Sequence, residues 1–309
     1  MAVSPSAIQV PERVQEHGEV FTRRWVVDLI LDLVGYCADR DLVEMKAVEP
    51  ACGSGAFLLA MIERLMDSAR LHGRNLKEAQ GALVATDLIP RNVAMSQAMA
   101  RETLQSGGVR ENVAEKLAEA WIRQGDFLLE PPAERSVDYV VGNPPYVRLE
   151  AVPRDRSEAY RLACKTMGGR ADVYIGFYEH GLQALRDGGA LGFICADRWM
   201  RNAYGARLRA MVSEGWAVET VISMTGVDAF EDEVDAYPAI TTFRRESQTN
   251  GPLVVEASPS FGPSEASEVG ALAAKSTADH VHKPAFRGAR LGTWFSGSAG
   301  WPHGSPDRL

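Results

Sequence analysis

The sequence predicts an α/β fold: a doubly wound, mostly parallel sheet of seven strands with helices on both faces. Three observations predict it. Short apolar runs alternate with segments of helical spacing from Arg23 to Arg244, the pattern of strand–helix–strand crossovers. Four of those runs close on or just before Glu49, Asp87, Asp126 and Asn143, and strand C-termini are where open α/β sheets bind ligands. Gly53 and Gly55 follow the first run, where a chain without Cβ atoms turns tightly and approaches a ligand closely.

Taken in order, residues 1–22 read as an irregular lead-in. From Arg23 to about Tyr36, the spacing of Trp25, Val26, Leu29, Ile30 and Leu33 predicts a helix. Met45 to Pro50 is a first strand, and Phe57 to about Leu71 a helix with Leu58, Met61, Ile62, Leu65 and Met66 on one side. Ala82 to Thr86 is the second strand, closed by Asp87, and Asn92 to Leu104 the next helix. Trp121 to Gly125 is the third strand, closed by Asp126, and Val137 to Val141 the fourth. Tyr174 to Leu185 is a helix that stops at Gly188-Gly189, before a fifth strand from Ala190 to Ala196. Ala203 to Glu214 is helical, Val218 to Ser223 is a sixth strand and Ala239 to Arg244 a seventh. After Glu246 the chain turns rich in Ser, Gly, Ala and Pro, with one short apolar run at Leu253 to Val255. Residues 247–309 are therefore expected to form a weakly ordered tail or the start of a truncated domain. The core domain spans 23–246.

With 309 residues, 46% hydrophobic and 24% charged, the chain can bury a substantial core. Its start, MAVSPSAIQV, lacks a basic segment followed by a long apolar one, so no export signal is expected. No apolar stretch is long and uncharged enough to span a membrane. Cys37, Cys52, Cys164 and Cys195 are scattered without a C-x-x-C pair. They read as reduced thiols in a cytoplasmic protein, and no metal site is expected from them or from the six histidines. A formal charge of −8 gives no support for a nucleic-acid partner, although it leaves room for a local basic cleft.

The chemistry concentrates at Asn143-Pro144-Pro145-Tyr146. Together these residues suit transfer to a planar, conjugated –NH2, whose delocalised lone pair is a poor nucleophile. The Asn oxygen and a backbone carbonyl accept its two N–H bonds, while proline fixes φ and holds that carbonyl in place. Acceptors aimed at developing charge are preorganised electrostatic catalysis, and the Tyr ring offers a stacking face. Glu49, at the end of the first strand before Pro50-Ala51-Cys52-Gly53-Ser54-Gly55, suits a ligand carrying an ammonium group. Asp87 suits ribose hydroxyls, or else caps the helix begun by Leu88-Ile89-Pro90. Asp126, followed by Phe127, suits an exocyclic adenine amine, or else an ordinary turn.

In order and spacing these residues resemble the class I S-adenosylmethionine-dependent methyltransferases. More narrowly, they resemble the N6-adenine DNA methyltransferases of restriction–modification systems. Gly18-Glu19-Val20-Phe21-Thr22 resembles that family's N-terminal motif, with Arg23 where the family usually has Pro. Pro50 to Gly55 resembles its Gly-rich loop. Ala171-Asp172-Val173-Tyr174, leading to Phe177, resembles the segment opening the helix beside the target pocket. Leu191 to Ile194 and Tyr237 to Ile240 resemble later core strands. The resemblance covers residues 17–246 and implies a Rossmann-like methyltransferase sheet.

It implies S-adenosylmethionine as cofactor, held by Thr22, Glu49, Pro50, Ala51, Gly53, Gly55, Asp87, Leu88, Asp126, Phe127 and Asn143. It implies Asn143, Pro144, Pro145 and Tyr146 as the catalytic set acting on an adenine flipped out of DNA. Two other acceptors pose the same planar-amine problem: a protein glutamine amide and an RNA adenine. A further reading makes the chain a partner-dependent or inactive cofactor-binding subunit. Its short tail is expected to mark a truncated catalytic half, a subunit that borrows target recognition from a separate specificity or recognition subunit, or a degenerate relative. No membrane partner is expected.

Overall fold

A computed structural model describes residues 21–232, 237–275 and 280–301. Gly18, Glu19 and Val20 of the N-terminal motif, His17, His303 and Arg308 lie outside the described residues, as do Glu233, Val234 and Asp235 in the acidic run that begins at Glu231.

The seven expected strands are present: β1 (Ala47–Glu49), β2 (Leu83–Asp87), β3 (Ile122–Gln124), β4 (Val137–Gly142), β5 (Leu185–Ala196), β6 (Ala217–Ser223) and β7 (Pro238–Arg244). Three more follow, β8 (Leu253–Ala257), β9 (Val281–His282) and β10 (Phe286–Arg290), so the sheet has ten strands in the order β3-β2-β1-β4-β5-β7-β6-β8-β10-β9. The strands β3, β2, β1, β4 and β5 run parallel, and β7 is antiparallel to both neighbours. β1 pairs with β2 on one side and β4 on the other. The connections diverge there, which opens a crevice at the strand C-termini.

The expected seven strands are extended to ten here, and the segment after Glu246, read as a weakly ordered tail or the start of a truncated domain, supplies the three further strands among the described residues. β8 pairs parallel with β6 through Thr220–Ser223, and β10 closes back on β8 with Phe286 opposite Ala257. The segment is pinned further along. Arg209, 3% exposed, donates to the carbonyls of Ser298 and Ala299 as well as those of Trp199 and Asn202. Trp301 packs edge-on against Trp199, with centroids 4.9 Å apart.

Eight helices cover the two faces among the described residues. α1 (Arg24–Val34), α2 (Ala56–Leu71), α3 (Pro90–Ser106), α4 (Glu111–Trp121) and α8 (Pro263–Ala273) pack on one face; α5 (Arg154–Ala163), α6 (Tyr174–Ala184) and α7 (Ala206–Gly215) pack on the other. Strand side chains alternate accordingly: Ala190 and Ile194 of β5 join the first core, Leu191, Phe193 and Cys195 the second. α3 starts at Pro90, whose fixed φ suits the first helical position. α4 and α5 were not read from the sequence. No described helix is long and apolar enough to cross a membrane.

Candidate functional site

The C-terminal ends of β1, β2 and β4, with the turn after β3, surround a cavity of about 310 Å³. Of the residues expected there, Thr22, Glu49, Pro50, Ala51, Gly53, Asp87, Leu88, Asp126, Phe127, Asn143 and Pro145 line it. Gly55, Pro144 and Tyr146 do not. Gly55 stands at the N-cap of α2 and Pro144 is buried behind the wall. The half-buried Tyr146 ring meets Phe230 and Tyr174 edge-on, and its hydroxyl reaches the Ile194 carbonyl at 3.4 Å.

The turn after β1 needs its glycines. Gly53 has φ +50° and Gly55 φ +90°, both in the left-handed region, while a Cβ at Gly53 would meet nothing within 4 Å. Backbone conformation, not crowding, therefore selects glycine. Asp87 fixes the loop from below: Oδ2 accepts from the Gly53 N–H and Oδ1 from the Ile89 N–H, each at 2.9 Å. Ser96 donates to the Gly53 carbonyl at 2.9 Å. Asp87 does not cap α3, whose N-cap is Ile89 without a side-chain cap bond; its carboxylate clamps the loop instead.

Glu49 is 2% exposed, and among the described residues its Oε2 has no hydrogen-bond partner. Burial pushes its carboxyl well above the usual carboxylate range; the Asp87 charge adds to this and a Leu58 backbone N–H opposes it. A buried carboxylate oxygen facing a cavity without a partner is costly unless a donor arrives there. Burial, then Glu49 and Asp87, push the Cys52 thiol up as well, so it stays protonated and unreactive.

Asp126 Oδ1 accepts from the Leu128 N–H at 3.1 Å, and Oδ2 from the Tyr160 hydroxyl at 2.8 Å. Phe127 stacks on Phe177, with centroids 5.3 Å apart and planes 22° from parallel. Tyr160 belongs to α5, and Val152, Pro153, Arg156 and Tyr160 together form a wall the sequence reading missed. Its signal was Pro153 followed by Arg154 and Glu158, which pair at i,i+4. Val173 and Phe177, in the segment expected beside the target pocket, do reach the wall.

Asn143 closes the cavity toward Tyr146. Its Nδ2 donates to Thr22 Oγ1 at 3.2 Å, which orients the amide with its carbonyl turned away from Thr22. Phe21 and Thr22 are held in turn by the β6–β7 connection: Thr22 bridges Phe230, and the Glu231 N–H donates to the Phe21 carbonyl at 2.9 Å. Among the described residues no cluster of His, Cys, Asp and Glu is arranged to hold a metal ion.

Comparison with known proteins follows the same lines. Residues 83–230 match the family model of the Eco57I restriction-modification methylases. A type II methyltransferase of Pseudomonas aeruginosa, M.PaeR7I, is 44% identical over 236 residues, 75% of this chain. The chain spans 41% of that relative's own length. A type I restriction–modification methyltransferase subunit from Streptococcus thermophilus superposes with a TM-score of 0.61 at 16% identity, over 89% of this chain and 56% of that one. A putative class I S-adenosylmethionine-dependent methyltransferase from Listeria monocytogenes gives 0.57 at 16%, over 85% and 73%. The α/β methyltransferase fold is thereby shown.

Proposed function

We propose that this chain, which is similar through residues 83–230 to the Eco57I restriction-modification methylases, transfers a methyl group from S-adenosylmethionine to the N6 amine of adenine in DNA. The observation that carries the proposal is the shared cavity, lined at once by Asn143, the Gly53 turn and Glu49, whose Oε2 has no hydrogen-bond partner among the described residues. The residues fit the cofactor. A buried acid awaits an ammonium, two left-handed glycines shape the turn, and the volume lies in the usual range for ligand sites.

Bound S-adenosylmethionine would supply an activated methyl group on its sulfonium. The chain's own task is then position more than acid–base chemistry. Glu49 would hold the ammonium end, Asp87 the ribose, and Asp126 with Phe127 the adenine end. Asn143 Oδ1 and the Pro144 carbonyl would accept the two N–H bonds of the target amine and draw its nitrogen toward tetrahedral geometry. Tyr146 would stack on the extruded base, and such a contact is worth roughly 1–3 kcal/mol. That offsets part of the few kcal/mol spent on unstacking. A cytoplasmic setting and a separate recognition domain or subunit belong to the same proposal.

Methyl transfer from radiolabelled cofactor to duplex DNA, RNA and a glutamine-bearing protein tests it. Label in DNA at N6 of adenine is the expected result, and label only in RNA or protein would refute it.

A further inference from the structure

We propose that two arginine-rich connections at the C-terminal edge of the sheet form a contact surface for the phosphate backbone of duplex DNA, framing the mouth of the cavity. This rests on the reading of the chain as a DNA methyltransferase and gives it a surface that the total charge conceals.

The first connection follows β4. Residues 148–170 hold six basic residues and three acidic ones. The second follows β5: residues 197–209 hold four basic residues and one acidic. Together they carry a net charge of plus six inside a chain of −8, so all remaining residues carry −14. A separation of this kind makes a local positive field that steers a polyanion to one face.

Topology brings the two connections to the same edge, because β4 and β5 run parallel and both segments leave their C-terminal ends. One side chain then joins them: the Arg207 guanidinium at the start of α7 donates to the Lys165 carbonyl at 3.2 Å, while Arg161 braces the first connection internally by donating to the Gly169 carbonyl at 2.8 Å. Arg156, on the same helix as Arg161, reaches the cavity wall, and Arg148 follows the wall residue Val147. The positive surface therefore begins at the site itself.

The acids of this region do not cancel the field. Glu158 is taken by Arg154, Glu150 by Arg170, and the buried Asp197 by Arg201; of the four, only the exposed Asp155 forms no ion pair among the described residues, and one carboxylate does not offset the open cations. Arg148, Arg161, Lys165, Arg198 and Arg207 are exposed and form no ion pair among the described residues. Elsewhere arginines are commonly neutralised: Arg24, Arg64 and Arg74 each contact two carboxylates. Exposed guanidinium and ammonium groups left with open donors beside a cavity suit phosphate oxygens.

The test is the salt dependence of binding to a duplex oligonucleotide, followed by fluorescence anisotropy with the whole chain. The triple variant R148Q/K165Q/R198Q removes three charges whose side chains make no hydrogen bond among the described residues, Arg198 lying only over the exposed Tyr237 ring at 6.0 Å. If each contacts a phosphate, the slope of log K against log salt falls by about 0.9 per residue. Over a fourfold rise in salt, the wild type then loses about 40-fold more affinity than the variant. K116Q on α4, which packs beside β2 and β3 on the other face, serves as the control and should leave the slope unchanged. Equal slopes for wild type and triple variant, or no DNA binding at low salt, overturn the surface. Calorimetry with S-adenosylmethionine separates the two claims. Intact cofactor binding in the triple variant with a reduced slope supports both, whereas DNA binding with the expected slope but no cofactor binding refutes the catalytic reading alone.

Discussion

Replacing Glu49 with Gln should move stability and ligand affinity in opposite directions. The carboxyl is buried, its Oε2 is without a partner among the described residues, and burial and the Asp87 charge hold it well above the usual carboxylate range. An acid with a raised folded pKa binds its proton more tightly folded than unfolded. Its contribution therefore favours the fold at low pH and is lost as pH rises through the folded pKa. Gln keeps the shape and cannot ionise. The ligand-free variant should thus melt higher than wild type at about pH 8, with the difference closing as pH falls toward the usual carboxylate range. Cofactor affinity should fall instead. A hydrogen bond to a charged partner is worth about 1.5–3 kcal/mol, which converts to a roughly 10- to 150-fold rise in Kd. Wild-type binding should also release a proton, because an arriving ammonium favours the carboxylate. Calorimetry in buffers of different ionisation enthalpy reads both quantities, and scanning calorimetry reads the melting difference. An unchanged Kd, or a ligand-free variant that melts lower than wild type above neutrality, would refute the reasoning.

Asn143→Ala should lower turnover by about 10²–10³-fold while cofactor binding survives, as checked by single-turnover methylation beside calorimetry. Thr22→Val removes the acceptor of the Asn143 Nδ2–H bond and should slow turnover at saturating cofactor by roughly 2- to 12-fold. Thr22→Ser should restore it, and a pure rise in cofactor KM would count against the orienting role. Arg209→Met strips donors from four carbonyls. It should cost at least about 3 kcal/mol and lower Tm by roughly 5–10 °C; limited proteolysis should then cut first near Ser298.

The strands and their polar ends were legible because each is a short, dense apolar run broken by one acid or glycine. Ala47–Glu49, Leu83–Asp87 and Val137–Gly142 each match their expected run to within two residues. The tail was not legible because its order is non-local. β8 is held by Thr220–Ser223 of β6, some thirty residues back, and β10 carries Gly288 and two arginines where a strand usually shows branched residues. The missed α4 hands over directly from Trp121 to Ile122, so helix and strand share one apolar run. The wall formed by α5 escaped for the opposite reason: Tyr160 is its only buried residue, and one buried side chain leaves no periodicity to read. Partnership was likewise invisible. Nothing in the spacing of Thr22 and Asn143, 121 residues apart, announces a hydrogen bond.

Arg23, the one departure from the N-terminal pattern that the sequence resembles, is accounted for by what surrounds it. Proline at that position would fix φ near −65°, and Arg23 already has φ −62° and an extended ψ of 145°. The conformation that presents Thr22 to Asn143 is therefore the same. What differs is how it is held. Arg23 keeps its N–H, which donates to the Ala229 carbonyl at 3.0 Å, and its guanidinium pairs with Asp228 and Glu231 of the same β6–β7 connection. Both acids are well exposed, so the ion pairs themselves are worth little. The backbone bond is the larger loss if proline is restored, at about 0.5–1.5 kcal/mol. Because the same connection carries Phe230 to the edge of Tyr146, it joins the cofactor wall to the target side through one short stretch of chain. In Arg23→Pro the constraint on φ would keep Thr22 in place despite the loss of the Arg23 N–H bond to Ala229, but would not prevent the release of residues 228–231. The substitution should thus leave cofactor Kd within about twofold, under half of what a lost neutral hydrogen bond would give at its strongest, while KM for DNA rises. A loss of cofactor affinity with DNA KM unchanged would place the connection's role on the wrong side of Asn143.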